Sequence, residues 1–316
     1  MLKINNETLV INNYNLINTY NLLHKLNIKK DLDCVTLVSN LLNEELVMKI
    51  NKVNEILFSD DISKHKLNDN LLKEYISIIL KLNNIKSFVI GFEISSKITQ
   101  RLKCFNLLFK SINTYLPNLI MLNLSSSNLN DDGCLYISNV IDNCKFIENL
   151  NLNENSITHY GIKNMYYAVL HSKNIKHLSL NWNCLSDNGL TLLTNIYKDK
   201  IKLYKKSSNT NYSIKALEYL NLCYNLISYK GVKDLSELLR CSNDFKYVIN
   251  LKVLNLGGNN ISYIGYKYLI AGLIGNKYSI ERISIFHNNI IANRGFISYF
   301  KKIFINTIYL QKYIRS

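Results

Sequence analysis

The sequence has little arginine, one proline and no long apolar run. Only five of its 38 basic residues are Arg, and the rest are Lys. Nucleic-acid recognition usually recruits arginine forks to bases and phosphates. We therefore attribute the net charge of +15 to a composition rich in Lys, Asn, Ile and Tyr, which all have AT-rich codons. Nucleic-acid binding is an alternative that rests on lysine abundance alone.

Segments that would enter a membrane or a secretory route are missing. The longest apolar runs, such as residues 76–82, contain polar breaks and are far shorter than the ~20 residues of a spanning helix. The N-terminus has no apolar signal-peptide core. Seven cysteines, an odd number with no Cys-x-x-Cys pair, argue against a disulfide framework. These features predict an intracellular, cytoplasmic protein, with a nuclear or cytoskeletal location left open.

Motifs for catalysis and cofactor binding are also missing. The sequence has no G-x-x-x-x-G-K-[ST] phosphate loop, no G-x-G-x-x-G turn and no H-E-x-x-H zinc motif, and these are the spacings that such chemistry needs. Its six His residues are scattered. The sequence therefore predicts a non-enzymatic protein that uses no metal and no cofactor.

What the sequence does contain is a repeat. The pattern L-x-x-L-x-L-x-x-N-x-L begins at residues 119, 147, 175, 217, 251 and 280, in steps of 28, 28, 42, 34 and 29 residues. The period-two alternation of L-x-L predicts a strand with its leucines pointing inward. The ninth-position Asn, which can donate and accept, is expected to satisfy backbone groups where the chain leaves the strand. Copies two to six have Asn155, Asn183, Asn225, Asn259 and Asn288, and the first has Ser127.

The second half of the unit predicts a capped helix. Position twelve holds N-capping residue types, and a Gly follows three residues later in the first five copies. Because Gly has low helix propensity, its recurrence is expected to mark close packing of the helix against the strand. The position-twelve residues are Asn130, Thr158, Ser186, Ser228 and Ser262.

Residues 119–295 resemble the ribonuclease-inhibitor-like leucine-rich repeats. The resemblance implies a curved α/β solenoid with parallel strands on the concave face, helices on the convex face and helical caps. It also implies a protein-binding scaffold, as in ribonuclease inhibitors, Ran GTPase activators and cytoskeletal adaptors. We expect a scaffold or adaptor that binds a partner protein on the concave face. A regulator resembling the Ran GTPase activator is the main alternative, and a ubiquitin-ligase adaptor is another.

The pattern divides the chain into four parts. An amphipathic helix over 8–27 belongs to an N-terminal cap at 1–31, and degenerate repeats fill 32–118. The regular repeats at 119–295 contain a basic insertion near 197–215, expected to be flexible, with an anion or nucleic-acid contact as the alternative. Residues 296–316 predict a capping helix, and the alternative is a membrane-surface helix.

Positions seven and eight vary most between copies and suggest the binding site. Trp182, the only Trp, and Tyr224 occupy position eight in consecutive copies, and exposed aromatics on a rigid sheet are usual interface anchors. The alternative is that Trp182 folds over the Asn turn and merely packs. The predicted partner-binding residues are Glu154, Trp182, Tyr219, Tyr224, Phe286 and His287.

Overall fold

The computed structural model describes two compact units. Their described residues are 3–5, 8–11, 55–58, 87–90, 98–206, 214–241, 245–246, 248–275 and 280–289. The first unit comprises residues 1–128 with 143–147, and the second comprises 129–142 with 148–316. Short parallel strands recur in both units.

The first unit begins with a hairpin and continues with parallel strands. Its elements are β1 (Lys3–Asn5), β2 (Thr8–Ile11), β3 (Glu55–Phe58), β4 (Ser87–Ile90), α1 (Ile98–Tyr115) and β5 (Met121–Asn123). β1 and β2 are antiparallel, whereas β2 to β5 pair in parallel. The prediction of a helix from residue 8 is wrong for β2, whose Thr-Leu-Val-Ile run has the β-branched composition of a strand. The remainder of the predicted helix, residues 12–27, lies outside the described residues.

The second unit alternates strands and helices. In chain order it contains α2 (Asn130–Asn143), β6 (Asn149–Asn151), α3 (His159–Asn164), α4 (Tyr166–His171), β7 (His177–Ser179), α5 (Ser186–Lys206), β8 (Leu217–Asn221), α6 (Tyr229–Cys241), β9 (Ile249–Asn255), α7 (Tyr263–Gly275) and β10 (Arg282–Ser284). β6 to β10 form a parallel sheet in sequence order. The expected α/β fold of leucine-rich repeats is confirmed.

The inward leucines align across this sheet. One residue from each of the five strands stands in register with its neighbours, and each is at most 3% exposed. Burial of such side chains contributes roughly 1.5–3 kcal/mol each, so this row is the spine of the second unit. It consists of Leu150, Leu178, Leu220, Leu254 and Ile283.

Asparagine at the ninth position joins each turn to the next. Oδ1 of Asn183 accepts the N–H of Asn155 at 3.1 Å and that of Ile157 at 2.9 Å, while Nδ2 donates to the carbonyl of Leu152 at 2.9 Å. Asn259 makes the corresponding three bonds later in the chain. These buried backbone groups would otherwise lack partners, at a cost of about 1–3 kcal/mol each. The predicted role of the ninth-position Asn is confirmed.

An aspartate of the preceding repeat caps the start of α3. The carboxylate of Asp131 accepts the N–H of Thr158 at 2.8 Å, the hydroxyl of Thr158 at 2.7 Å and the N–H of Gly161 at 2.8 Å. Asp187 makes the same three contacts at the start of α6. A carboxylate at a helix N-terminus satisfies orphan N–H groups and complements the helix dipole. Consecutive repeats are therefore tied together on the helical side as well.

At two of the recurring Gly positions, Gly161 and Gly231, the glycine makes room for this cap. A Cβ on Gly161 would lie 2.6 Å from Oδ1 of Asp131, so the expected close approach to the strand is wrong at this position. The predicted N-cap at Thr158 is confirmed, because its hydroxyl accepts the N–H of Tyr160 at 3.2 Å. The prediction is wrong for Ser262, whose buried Oγ makes no hydrogen bond.

The basic segment after residue 197 begins as helix. α5 continues to Lys206, and its residues Tyr197, Lys200 and Ile201 are at most 6% exposed. The expectation of a flexible insertion is therefore wrong up to Lys206, because apolar residues continue at helical spacing and pack inward. The next seven residues lie outside the described residues.

Most described lysines of this segment contact their own chain. Ion pairs at a surface contribute little to stability. A lysine that already contacts a carboxylate of its own chain is nevertheless less available to bind an anion. This pairing favours composition over function as the reason for the lysines. The contacts are Lys198 with Glu237 at 3.0 Å, Lys202 with Asp199 at 2.8 Å, Lys215 with Glu148, and Lys205 over the Phe245 ring at 4.4 Å.

Lys200 differs from the other lysines because it is buried. Its side chain is 3% exposed, and Nζ donates to the carbonyl of Val169 at 3.2 Å and to Oγ of Ser172 at 3.4 Å. Burial disfavours the charged form and lowers the pKa of Lys200 to about 8. Neutral acceptors at the end of α4 thus hold an ammonium group without a carboxylate among its hydrogen-bond partners.

In the described residues, no helix is both long and apolar enough to cross a bilayer. The predicted C-terminal helix at 296–316 and its membrane-surface alternative lie outside the described residues. Residues 32–54, the first part of the segment predicted to hold degenerate repeats, also lie outside the described residues.

Replacement of Asp187 by Ala tests the inter-repeat cap. The change removes the acceptor of the Ser228 N–H, the Ser228 hydroxyl and the Gly231 N–H. We expect a loss of about 3 kcal/mol in unfolding free energy, because hydrogen bonds to a charged acceptor contribute about 1.5–3 kcal/mol each and are not additive. Urea denaturation measures the change. Asp142→Ala, at an exposed position of α2, serves as the control, and equal losses in both variants would contradict the cap.

Replacement of Lys200 by Met tests the buried ammonium. The folded-state pKa near 8 lies below the ordinary value of 10.5, so the unfolded chain binds more protons between these pH values and wild-type stability rises with pH across that window. We expect Lys200→Met to be more stable than wild type at pH 7 by about 1–3 kcal/mol, with the gain shrinking as pH approaches 10.

Denaturant titrations at pH 7 and pH 10 measure this difference. Lys202→Met is the control, since Lys202 is 70% exposed and its loss should change stability by less than about 0.5 kcal/mol. A Lys200→Met protein that is less stable than wild type at both pH values would show that the hydrogen bonds to Val169 and Ser172 outweigh the cost of burial.

Candidate functional site: an aromatic patch at the strand ends

Position eight of every regular repeat adopts a left-handed backbone. Its six residues have φ between 50° and 67°, a region that only Gly enters without strain. In the second unit, this shared conformation directs the side chains of successive repeats in parallel from the carboxyl ends of the strands. The residues are Ser126, Glu154, Trp182, Tyr224, Gly258 and His287.

Trp182 and Tyr224 form a parallel stack. Their ring centroids lie 3.9 Å apart with an interplanar angle of 7°. The backbone N–H of Trp182 donates to the carbonyl of Cys223 at 2.9 Å, and this bond holds the two backbones side by side. Trp182 keeps 54% of its surface exposed. The indole therefore rests on a neighbouring ring and does not fold down over the Asn turn.

Two glycines make room for the rings on the C-terminal side of the stack. A Cβ on Gly258 would lie 2.3 Å from the Tyr224 ring, and one on Gly257 would lie 2.7 Å from the Phe286 ring. The Tyr224 and Phe286 centroids are 6.3 Å apart at 62°. The Gly-Gly pair thus forms a floor of backbone without side chains. The Tyr224 ring packs against Gly258, and the Phe286 ring packs against Gly257. We call Trp182, Tyr224 and Phe286, with this floor, the aromatic patch.

His287 extends the patch, whereas Tyr219 belongs to a separate pair. His287 meets the Phe286 ring edge-on at 5.3 Å and is exposed. Tyr219 lies on strand β8, where its ring meets His177 of β7 at 5.9 Å and 83°. His177 was not among the predicted residues, although its place at position three, next to Tyr219, was a usable signal.

Glu154 precedes Trp182 at position eight of the neighbouring repeat. Its N–H donates to the carbonyl of Asn181 at 2.8 Å, so its backbone lies beside that of Trp182. Tyr224 is the neighbour on the other side. The exposed Glu154 therefore begins the row of side chains that continues through Trp182 and Tyr224.

The polar side chains at the strand centres form hydrogen bonds with residues of the turns that follow the strands. Oδ1 of Asn151 accepts the N–H of Asn153 at 3.1 Å, and Oδ1 of Asn153 accepts the Ser179 hydroxyl at 2.8 Å. Asn221 makes the equivalent bond to the N–H of Cys223 at 3.2 Å. Position five thus has a structural role in these three repeats, and the varied position eight distinguishes one part of the surface from another.

Position two carries an alternating row of charges at the opposite strand ends. Glu148 pairs with Lys176 at 2.9 Å, and Glu218 pairs with Lys252 at 2.9 Å. Hydrogen bonding to Lys215 and Lys176 holds the pKa of Glu148 below its usual value. This row was not predicted from the sequence. Its signal there is the alternation of Glu and Lys at position two from one copy to the next. It neutralises charge beside the sheet.

Within the residues that the structure describes, no group of three or more His, Cys, Asp or Glu side chains could hold a metal ion. The side chains that the structure describes at this site include the rings of the aromatic patch and the carboxylate of Glu154. Flat aromatic surfaces with fixed orientation suit contact with another molecule rather than catalysis.

Comparison with known proteins identifies the repeat. A family model described as Leucine Rich repeat matches residues 171–193 and 249–269, and the first of these segments contains Trp182. The second unit thus has the fold of leucine-rich repeats.

The chain is also similar to several proteins whose names include LRR domains. Human NACHT, LRR and PYD domains-containing protein 14 is 27% identical over 207 residues, which cover 53% of the chain and 19% of that protein. Mouse NACHT, LRR and PYD domains-containing protein 9C is 27% identical over 165 residues, which cover 52% of the chain and 14% of that protein. Mouse NACHT, LRR and PYD domains-containing protein 14 is 37% identical over 82 residues, which cover 26% of the chain and 8% of that protein. The chain thus spans a fifth or less of the length of these relatives.

Substitution of Gly258 by Ala tests the floor of the patch. Ala at a φ of +67° costs about 1–2 kcal/mol, and its methyl group would also displace the Tyr224 ring. We expect a total loss of about 2–3 kcal/mol in the wild-type background and about 1 kcal/mol in a Tyr224→Ala background, where the clash is gone. Thermal or urea unfolding of the four proteins completes the cycle. Equal losses in both backgrounds would contradict the contact.

Proposed function

We propose that this leucine-rich-repeat chain is a non-enzymatic scaffold that binds a partner protein through the aromatic patch. The observation that carries the proposal is the half-exposed Trp182, stacked on Tyr224. Tryptophan and tyrosine dominate the residues at which truncation weakens protein interfaces most. A family of interaction repeats and an exposed, ordered aromatic surface support the same role.

The order of the patch lowers the cost of binding. A partner that contacts a mobile side chain must immobilise it, at about 0.5–1.5 kcal/mol for each rotamer-rich group. Trp182 is already held by Tyr224, which in turn leans on Gly258. Much of the ring surface is therefore presented in a fixed orientation before any partner arrives, and its burial contributes to affinity with a smaller entropic loss.

We assign the repeats to the ribonuclease-inhibitor-like type, because their 28- to 29-residue step combines a strand, an Asn turn and a helix. The asparagine and aspartate bonds that join neighbouring repeats support a rigid scaffold. A function resembling the Ran GTPase activator gains no specific support from the described residues. The paired lysines weigh against nucleic acid as the partner.

We also propose that the scaffold works inside the cell. Cys134 and Cys144 are buried as free thiols, and burial raises the pKa of Cys144 to about 11. Cys184 and Cys241 are free and exposed. Free exposed thiols suit a reducing compartment, where they are not driven into disulfides.

Replacement of Trp182 by Ala tests the scaffold function. We expect the variant to lose on the order of 2 kcal/mol of partner binding and about 1 kcal/mol of stability from the broken stack. Affinity purification of the tagged chain from its own cells, with quantitative mass spectrometry, identifies the proteins that Trp182→Ala no longer retains. Titration with the purified candidate then gives the change in affinity.

Tyr167→Ala provides a matched control. Tyr167 is an aromatic residue on α4, 72% exposed, and is far along the repeat from position eight. Its variant should capture the same proteins as wild type. Equal capture by Trp182→Ala and wild type, at equal amounts of folded protein, would contradict the patch as the binding site.

A further inference from the structure

The stack leaves one face of the Trp182 indole available. Tyr224 lies parallel to the indole at 3.9 Å and covers the face that points toward the following repeat. Trp182 keeps 54% of its surface exposed beside this contact. An indole face is the best aromatic partner for a cation, because its electron density is negative above and below the ring plane.

Glu154 is the neighbour of Trp182 on the side away from Tyr224. It occupies position eight of the preceding repeat, with a φ of 56° against 53° for Trp182, and its N–H donates to Asn181. Equal backbone conformations on adjacent strands direct the two side chains in parallel, about one strand spacing of ~4.8 Å apart. Glu154 and Trp182 are thus exposed residues at neighbouring places in the same row.

We propose that Glu154 and Trp182 together bind an arginine side chain presented by the partner protein. The inference rests on the proposed scaffold function and names the chemistry of its contact. A guanidinium group is planar and can stack on the indole while its edge donates two hydrogen bonds to the carboxylate. A carboxylate has about four lone-pair sites, so Glu154 can accept these bonds beside any contact that it already makes.

Other side chains satisfy only half of the site. A lysine ammonium is a compact, strongly hydrated charge that cannot stack as a plane. A partner's aromatic ring could stack on Trp182, but it has no cationic donors to pair with the Glu154 carboxylate. Arginine is the side chain that combines a flat face with donors matched to a carboxylate.

The net charge of +15 does not prevent this contact. At physiological ionic strength, charges more than about 8 Å apart are largely screened from each other, so the nearest groups decide. Among the position-eight side chains of the described repeats, Glu154 is the acidic one, and His287 stands at the far end of the row.

The single Trp of the chain makes the test direct. Fluorescence excited at a wavelength selective for tryptophan reports on Trp182 alone. The full chain in physiological salt is titrated with the capped peptide Gly-Arg-Gly, with its lysine counterpart and with its citrulline counterpart, which keeps the flat shape of arginine without its charge. We expect a saturable change with the arginine peptide at roughly millimolar concentration, and binding at least about tenfold weaker for the other two.

Glu154→Gln supplies the second arm. It should weaken binding of the arginine peptide by about tenfold and leave the citrulline peptide unchanged, because a neutral amide cannot form the charge-assisted pair. Glu281→Gln removes another exposed carboxylate of the second unit and should leave both titrations unchanged. Thermal unfolding of each variant checks folding. If Glu154→Gln fails to fold, the comparison of arginine with citrulline on wild type still decides.

Two results would overturn the arginine site: equal binding of the arginine and citrulline peptides, or no saturable change with the arginine peptide. The scaffold function is judged separately, by the partner capture of Trp182→Ala. A chain that loses its partner in Trp182→Ala, keeps it in Glu154→Gln and ignores the arginine peptide would retain the scaffold function and lose the arginine site.

Discussion

The structure of the second unit depends on the buried asparagine amides between neighbouring turns. Asn155, Asn183, Asn225 and Asn259 are at most 4% exposed, and each supplies bonds to backbone groups that water cannot reach. An alternative register would leave these groups unpaired, at about 1–3 kcal/mol for each. The amides therefore determine which residues of successive repeats stand side by side. Every contact in the aromatic patch follows from that alignment.

The left-handed turn converts this register into a surface. A non-Gly residue at positive φ carries backbone strain, and the bonds of the following Asn hold the chain in that conformation. Because Trp182 and Tyr224 share a φ of 53°, their rings leave the backbone in parallel and meet as a stack. Gly258 adopts the same turn without a side chain. Its empty space accepts the Tyr224 ring, so one substitution-sensitive glycine supports the arrangement of its neighbours.

The periodic sequence predicted the elements better than it predicted the contacts. Leucine alternation and the ninth-position Asn give the strands and their turns, and these properties depend on residues close together in the chain. Positions seven and eight give the residues of the patch, but not the stacking of Trp182 on Tyr224, which are 42 residues apart. The cap by Asp187 and the burial of Lys200 were missed for the same reason. Each depends on a neighbour from another repeat, and no local spacing records it.

The helical side of the repeat tolerates changes in length, whereas the strand side does not. This difference explains how an insertion coexists with an ordered aromatic patch. The step from the third to the fourth copy is 42 residues, and much of its extra length extends α5 to Lys206. Leu178 nevertheless pairs in register with Leu220. Added residues at the end of a helix need only close a loop, whose entropic cost grows slowly with length, whereas one residue added to a strand would turn its side chains to the other face. Length therefore varies on the helical side, and the surface at the strand ends varies by substitution at positions seven and eight.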